Sequence, residues 1–156
     1  MMADPHDTFR RASILSFSGE FGFLSNFHFS PFHWDGVDWS TVEHAFQAAK
    51  TLDPEQRQAM AQIPTPGDVK KAGRSLSLRS DWEDVKYGIM AEVVYEKFRQ
   101  NPALRAKLLA TGNAHLEEGN HHGDRIWGTV DGEGTNWLGK ILMEVRETLR
   151  NESTSE

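Results

Sequence analysis

Two kinds of hydrophobic pattern divide the chain. From Ile14 to Trp39 apolar residues come in short runs broken by turn formers. ILSF, residues 14–17, predicts a strand, and HWDGVDW, residues 33–39, predicts a hairpin around Asp35-Gly36. Between them GEFGFLSNFHFSPF sets five Phe among Gly, Ser and Asn, a density that suits a core flap or the wall of a pocket for a flat ring.

After Trp39 the period turns helical. In TVEHAFQAAK, residues 41–50, Val42, Ala45, Phe46 and Ala49 form an apolar stripe, with Glu43, Gln47 and Lys50 on a second stripe beside it. Ser40-x-x-Glu43 matches a capping box, in which Glu43 would bond an orphan N–H of its own helix and Gln47 and Lys50 would face water. Asp53-Pro54 and Thr65-Pro66 open two further helices, running to about Ala61 and Arg74. Ser80-Asp81-Trp82-Glu83, a second capping box, leads a long helix carrying Trp82, Val85, Ile89, Val93 and Phe98 at helical spacing. Asn101-Pro102 ends it and starts the next helix, which stops near Gly112. A short strand at His115-Leu116 follows, then a last helix with Asn136 as N-cap and Leu138, Ile141, Leu142, Val145 and Leu149 facing the core. The expected fold is mainly α, an α+β arrangement with a small hairpin or sheet. One domain spans residues 14–150, and residues 1–12 and 151–156 are expected to be disordered ends.

Composition narrows the function classes. No apolar run approaches the roughly 20 residues of a membrane span, and the start lacks the apolar stretch of a secretory signal, so cytoplasm is the expected compartment. Cysteine is absent, which removes thiolate chemistry. A net charge of −6 opposes a general nucleic-acid coat yet leaves room for a local phosphate site. KKAGRSLSLR, from Lys70 to Arg79, is the place for one, with four basic residues and no acid. His121-His122 lacks a third ligand at a recognised spacing, so neither metal nor cofactor is expected. NHHGDRIWGTVDGEGTNWLG, residues 120–139, sets Gly128, Gly132 and Gly134 just before a helix N-terminus, where backbone N–H groups can meet an anion. Carboxylate and amine chemistry remains, with Glu43, Asp124 and Lys50 as its players.

FGFLSNF, TVEHAFQAAK, GRSLSLRSDWEDVK, GDRIWG and GEGTNWLGKILMEVRE, in this order, resemble the NADAR or YbiA-like family. The resemblance covers about Phe21 to Leu149. It implies a compact, mainly helical fold and hydrolysis of N-glycosidic bonds. The substrate classes it implies are ribosylamino-pyrimidine phosphates of riboflavin synthesis and ADP-ribose attached to guanine in nucleic acid. By position, Glu43, Lys50 and Asp124 match the family's functional Glu, Lys and Asp. Trp82 and Trp127 match aromatics bordering the base, and Asn136 sits where the glycine-rich loop meets the helix. Thr129 stands where some members carry Asp, so that Asp's role is not carried over.

Cleaving a ribose–nitrogen bond builds positive charge at C1′, which a carboxylate such as Glu43 stabilises while activating water. Lys50, seven residues on, lies about 10.5 Å further along the same face. It either holds a hydroxyl or phosphate as a cation, or attacks C1′ to form a Schiff base, the job preferred here because no second nucleophile is evident. Asp124 is a candidate for ribose hydroxyls or proton transfer. Arg74, Arg79 and the Gly132–Asn136 loop, Gly134 included, are candidates for phosphate, and Phe23, Trp82 and Trp127 for stacking on the base. Asn26 and Gln47 complete the substrate-binding set. Between the substrate classes that the resemblance implies, the basic stretch favours removal of ADP-ribose from guanine, in DNA repair or as an antitoxin with a toxin gene partner, because it suits a multiply charged substrate. The riboflavin-pathway substrate and a non-catalytic module binding ADP-ribose or a nucleotide are the alternatives.

Overall fold

The computed structural model describes residues 13–154. The described chain is mainly α with one two-stranded antiparallel sheet, as the sequence pattern expects. It forms two compact units, a mid-chain unit from Asn26 to Pro102 and a terminal-segment unit built from the chain before Asn26 and after Pro102.

In the mid-chain unit β1 (Phe32–Trp34) and β2 (Val37–Trp39) pair with Phe32 opposite Trp39 and Trp34 opposite Val37. Asp35 and Gly36 both take positive φ, 53° and 78°, the tight hairpin geometry that Asp-Gly favours. The helices are α1 (Val42–Ala48), α2 (Pro54–Ala61), α3 (Pro66–Gly73) and α4 (Trp82–Gln100). Asp53 and Thr65 cap α2 and α3 as expected, each with Pro in the first turn. Asn101 closes α4 by donating to the carbonyl of Lys97.

α1 packs against α2, α3, α4 and β2, so every residue of this helix is buried, polar ones included. This overturns the solvated-face alternative for Gln47. His44 shows how a buried polar group is accommodated. Its Nε2 donates to the carbonyl of Ile63 at 2.8 Å, leaving Nδ1 to accept from the Thr41 hydroxyl at 2.8 Å.

Neither capping box forms. Thr41, not Ser40, caps α1, its side chain accepting the N–H of His44. The Ser40 carbonyl is drawn instead into a bond with Ser30 N–H. At α4 the Asp81 carboxylate turns to the guanidinium of Arg79 and Glu83 to Lys86, because charge-assisted pairs outcompete a neutral backbone donor.

The terminal-segment unit holds a 3-10 helix (Gly19–Leu24), α5 (Pro102–Ala110, entering it at Ala103) and α6 (Trp137–Thr154). The expected strands at ILSF and His115-Leu116 shrink to one parallel bridge between Ile14 and Leu116. Gly19, at φ 59°, turns the chain into the 3-10 helix before a ladder can extend. α6 continues through Asn151–Thr154, where the sequence suggests a disordered end. Ser153 and Thr154 hydroxyls bond back to the carbonyls of Leu149 and Asn151, which holds this polar last turn. The ends expected to be disordered at residues 1–12, and residues 155–156, lie outside the described residues. No described helix is long and apolar enough to cross a membrane.

Candidate functional site

α1 fixes Glu43 and Gln47 at helical spacing. The N–H of Glu43 donates to the carbonyl of Asn26 at 3.1 Å, which anchors the first turn. Four residues on, Gln47 Nε2 donates to Glu43 Oε1 at 2.8 Å. Both side chains lie in the buried interior of the unit, Glu43 7% and Gln47 6% exposed. Lys50 follows the helix end and is half-buried.

Burial is the largest influence on the Lys50 ammonium and lowers its pKa from 10.5. Glu43 opposes that shift, while Arg74 and Lys70 reinforce it. The opposed influences put a carboxylate and two cations within electrostatic reach of one amine. An amine in such surroundings carries the neutral, nucleophilic form at lower pH than a solvated lysine.

The other predicted residues of this unit divide. Arg74 is exposed at the end of α3, free of the packing that holds Gly73 before it. Arg79 has a structural job: Nε and Nη2 donate to the two oxygens of Asp81 at 2.6 and 3.0 Å, and Nη1 points to the carbonyl of Ala49. The hydrogen bond to Asp81 raises its pKa. Trp82 is buried against Phe46, ring centroids 5.1 Å apart and planes tilted by 50°. Asn26 donates its amide to the sulfur of Met90 at 3.6 Å.

Phe23, Asp124, Trp127, Gly134 and Asn136 belong to the terminal-segment unit. Asp124 Oδ1 accepts the N–H groups of Ile126 and Trp127, both at 2.9 Å, and its own N–H donates to Asn120 Oδ1. It therefore shapes the turn that carries Trp127. Asn136 keeps its place at the start of α6, its carbonyl accepting the N–H of Lys140. Its side chain, however, does not cap the helix. At φ 54° it donates to the Leu116 carbonyl and accepts the Glu118 N–H, stitching the loop to the 116–118 segment. Gly134, at φ 148°, lies so close to Gly128 that an added Cβ would sit 2.4 Å from the Gly128 carbonyl oxygen. Phe23 is buried, with the Lys107 ammonium 5.7 Å from its ring centroid. Thr129 is buried and donates to Glu117 at 2.7 Å.

Two residues of the site escape a residue-by-residue reading of the sequence. Lys70 bears on Lys50, and its only signal is membership of the acid-free basic stretch. Gly73 touches Gln47, and nothing local in the sequence marks it.

Comparison with known proteins gives one consistent answer. A family model described as the NADAR domain matches residues 14–150, spanning both units, as the single-domain expectation requires. N-glycosidase YbiA of Escherichia coli (strain K12) is 42% identical over 140 residues, covering 88% of this chain and 87% of that protein. Riboflavin biosynthesis protein VVA0006 of Vibrio vulnificus is 38% identical over 132 residues, covering 83% of this chain and 36% of that longer protein. The NMR structure of E. coli YbiA superposes with a TM-score of 0.82 at 40% identity, covering 92% of this chain and 87% of that one. By model, sequence and fold alike, the chain belongs to the NADAR family.

Proposed function

We propose that this protein is an N-glycosidase that hydrolyses the bond between C1′ of a phosphorylated ribose and the nitrogen of a base. The observation that carries the reading is the lowered proton affinity of Lys50, just beyond the end of the helix that buries Glu43. Names of relatives support it: YbiA is called an N-glycosidase.

In this reading the neutral amine of Lys50 attacks C1′. The C1′–N bond breaks, its electron pair leaves with the base, and the base takes up a proton. Glu43 removes the surplus proton from the new ammonium and passes it to the departing base. The sugar ring opens as its oxygen is protonated, giving an imine between C1′ and Lys50. Water then adds to the imine, and the C1′–N bond to Lys50 breaks to release the free sugar. The net change is one water consumed, one base and one sugar formed. Lys70 and Arg74 hold the phosphate and help lower the proton affinity of Lys50.

Ribosylamino-pyrimidine phosphates of riboflavin synthesis are the first substrate choice. The name of the Vibrio relative supports them, and so does Arg79, whose guanidinium is held by Asp81 and leaves a smaller cationic patch than the sequence suggests. ADP-ribose on guanine, with an antitoxin role, is the second choice. The exposed Lys71 and Arg74 favour it, because a second phosphate has somewhere to go. Purified protein is offered each substrate, and base release is followed by chromatography with borohydride present or absent. Base release with sugar mass trapped on Lys50 supports the reading. Saturable binding without release would return the protein to the class of binding modules.

A further inference from the structure

Gly73 and Arg74 stand three and four residues after Lys70, so the three share one side of the last turn of α3 and its C-cap. Lys70 and Arg74 act on Lys50, and Gly73 lies against the Gln47 side chain. A Cβ built on Gly73 would fall 1.9 Å from Gln47 Oε1 and 2.8 Å from its Cδ. No two non-bonded atoms approach so closely, so any larger residue displaces the Gln47 amide.

The orientation of that amide follows from chemistry. A carboxylate only accepts hydrogen bonds, so Gln47 must turn its NH2 toward Glu43. Oε1 is then left facing Gly73, buried and without a hydrogen-bond partner among the described residues. A buried acceptor without a partner is a cost the fold tolerates only where something else is gained. Here the gain is a donor held on the Glu43 carboxylate.

We propose that Gly73 is a positioning residue for the Glu43 carboxylate, acting through Gln47. The missing side chain at position 73 leaves the one space in which the Gln47 amide can lie along Glu43. Backbone conformation does not demand the glycine, since φ at Gly73 is not positive. The inference rests on the N-glycosidase reading for its effect on turnover, but the contact itself can be measured without substrate.

The test compares wild type with Gly73→Ala, Gln47→Ala, the double variant, and Gly67→Ala, a glycine of the same helix with open space around it. Glu43→Gln tests the part of Glu43 in the hydrolysis. Three readouts are taken: the NMR signals of the Gln47 side-chain amide, thermal unfolding, and kcat with a ribosylamino-pyrimidine phosphate or the ADP-ribosylated guanine oligonucleotide. Gly73→Ala is expected to shift the Gln47 amide signals and lower kcat by ~10–100-fold, the scale of a small misplacement of a catalytic group. In the Gln47→Ala background the same change should cost less than about twofold, because the space is already clear. Gly67→Ala should alter neither. If Gly73→Ala does not fold, the double variant decides: recovery of folding there supports the contact, and failure there overturns it. Unmoved amide signals, or an equal loss of kcat in both backgrounds, would also overturn it. No base release by the wild type would sink the hydrolysis reading alone, and full activity of Glu43→Gln would remove only Glu43 from the chemistry, with the amide signals still deciding the contact.

Discussion

The carbonyl of Lys50 accepts the backbone N–H of Arg79 at 2.8 Å. The chain just beyond α1 is thereby tied to the segment leading into α4, and the Arg79 side chain, clamped on Asp81, reaches back to the Ala49 carbonyl. Arg79 thus holds the backbone that carries Lys50. Replacing it with Ala should lower stability only modestly, because its pair with Asp81 is partly exposed to solvent. Turnover should fall through kcat, with KM little changed. Unfolding curves and steady-state kinetics check this; a rise in KM alone would return Arg79 to phosphate binding.

Lys50 itself should leave a signature in stability against pH. Its folded pKa lies below 10.5, the value in the unfolded chain. Between the two values the unfolded chain binds more protons than the folded one, so stability rises with pH across that window and levels off above 10.5. Lys50→Met removes the buried charge. It should be inactive and melt higher than wild type at neutral pH, the gap closing as pH approaches 10.5. A melting difference that stays constant across this range would argue against a lowered pKa.

Glu43→Gln should fold, because the amide can still accept from Gln47 through its oxygen. Its turnover should drop by about 10²–10⁴-fold, the range expected for losing a general acid–base group. Chromatographic detection of released base measures it, and activity near wild type would remove Glu43 from the chemistry.

How much of this was legible in the sequence depended on the range of the forces involved. Local rules placed the Asp35-Gly36 turn and the Asp53-Pro54 and Thr65-Pro66 helix starts, since each depends on neighbours in sequence. Both capping boxes failed because their residues found other partners. Ser40 met Ser30, ten residues back in the chain, and Asp81 met the Arg79 guanidinium, a neighbour in sequence that the capping pattern leaves out. The polar stripe of Glu43, Gln47 and Lys50 was visible as a period, but its burial was not, because α1 is enclosed by α2, α3, α4 and β2. Gly73 is silent for the same reason: its meaning lies in a contact twenty-six positions back in the chain, at Gln47.

Asp124 offers a way to separate charge from shape. One of its oxygens accepts two backbone N–H groups, a role that an amide oxygen performs equally well. Asp124→Asn should therefore fold like wild type and keep activity within about tenfold, if the residue works by shaping the turn under Trp127. Asp124→Ala leaves both N–H groups without their acceptor and should lose about 1–2 kcal/mol, with Trp127 losing its place. Trp fluorescence and thermal melts of the two variants distinguish these outcomes. An Asn variant that folds normally yet loses turnover as severely as Glu43→Gln would instead make the Asp124 charge part of the chemistry.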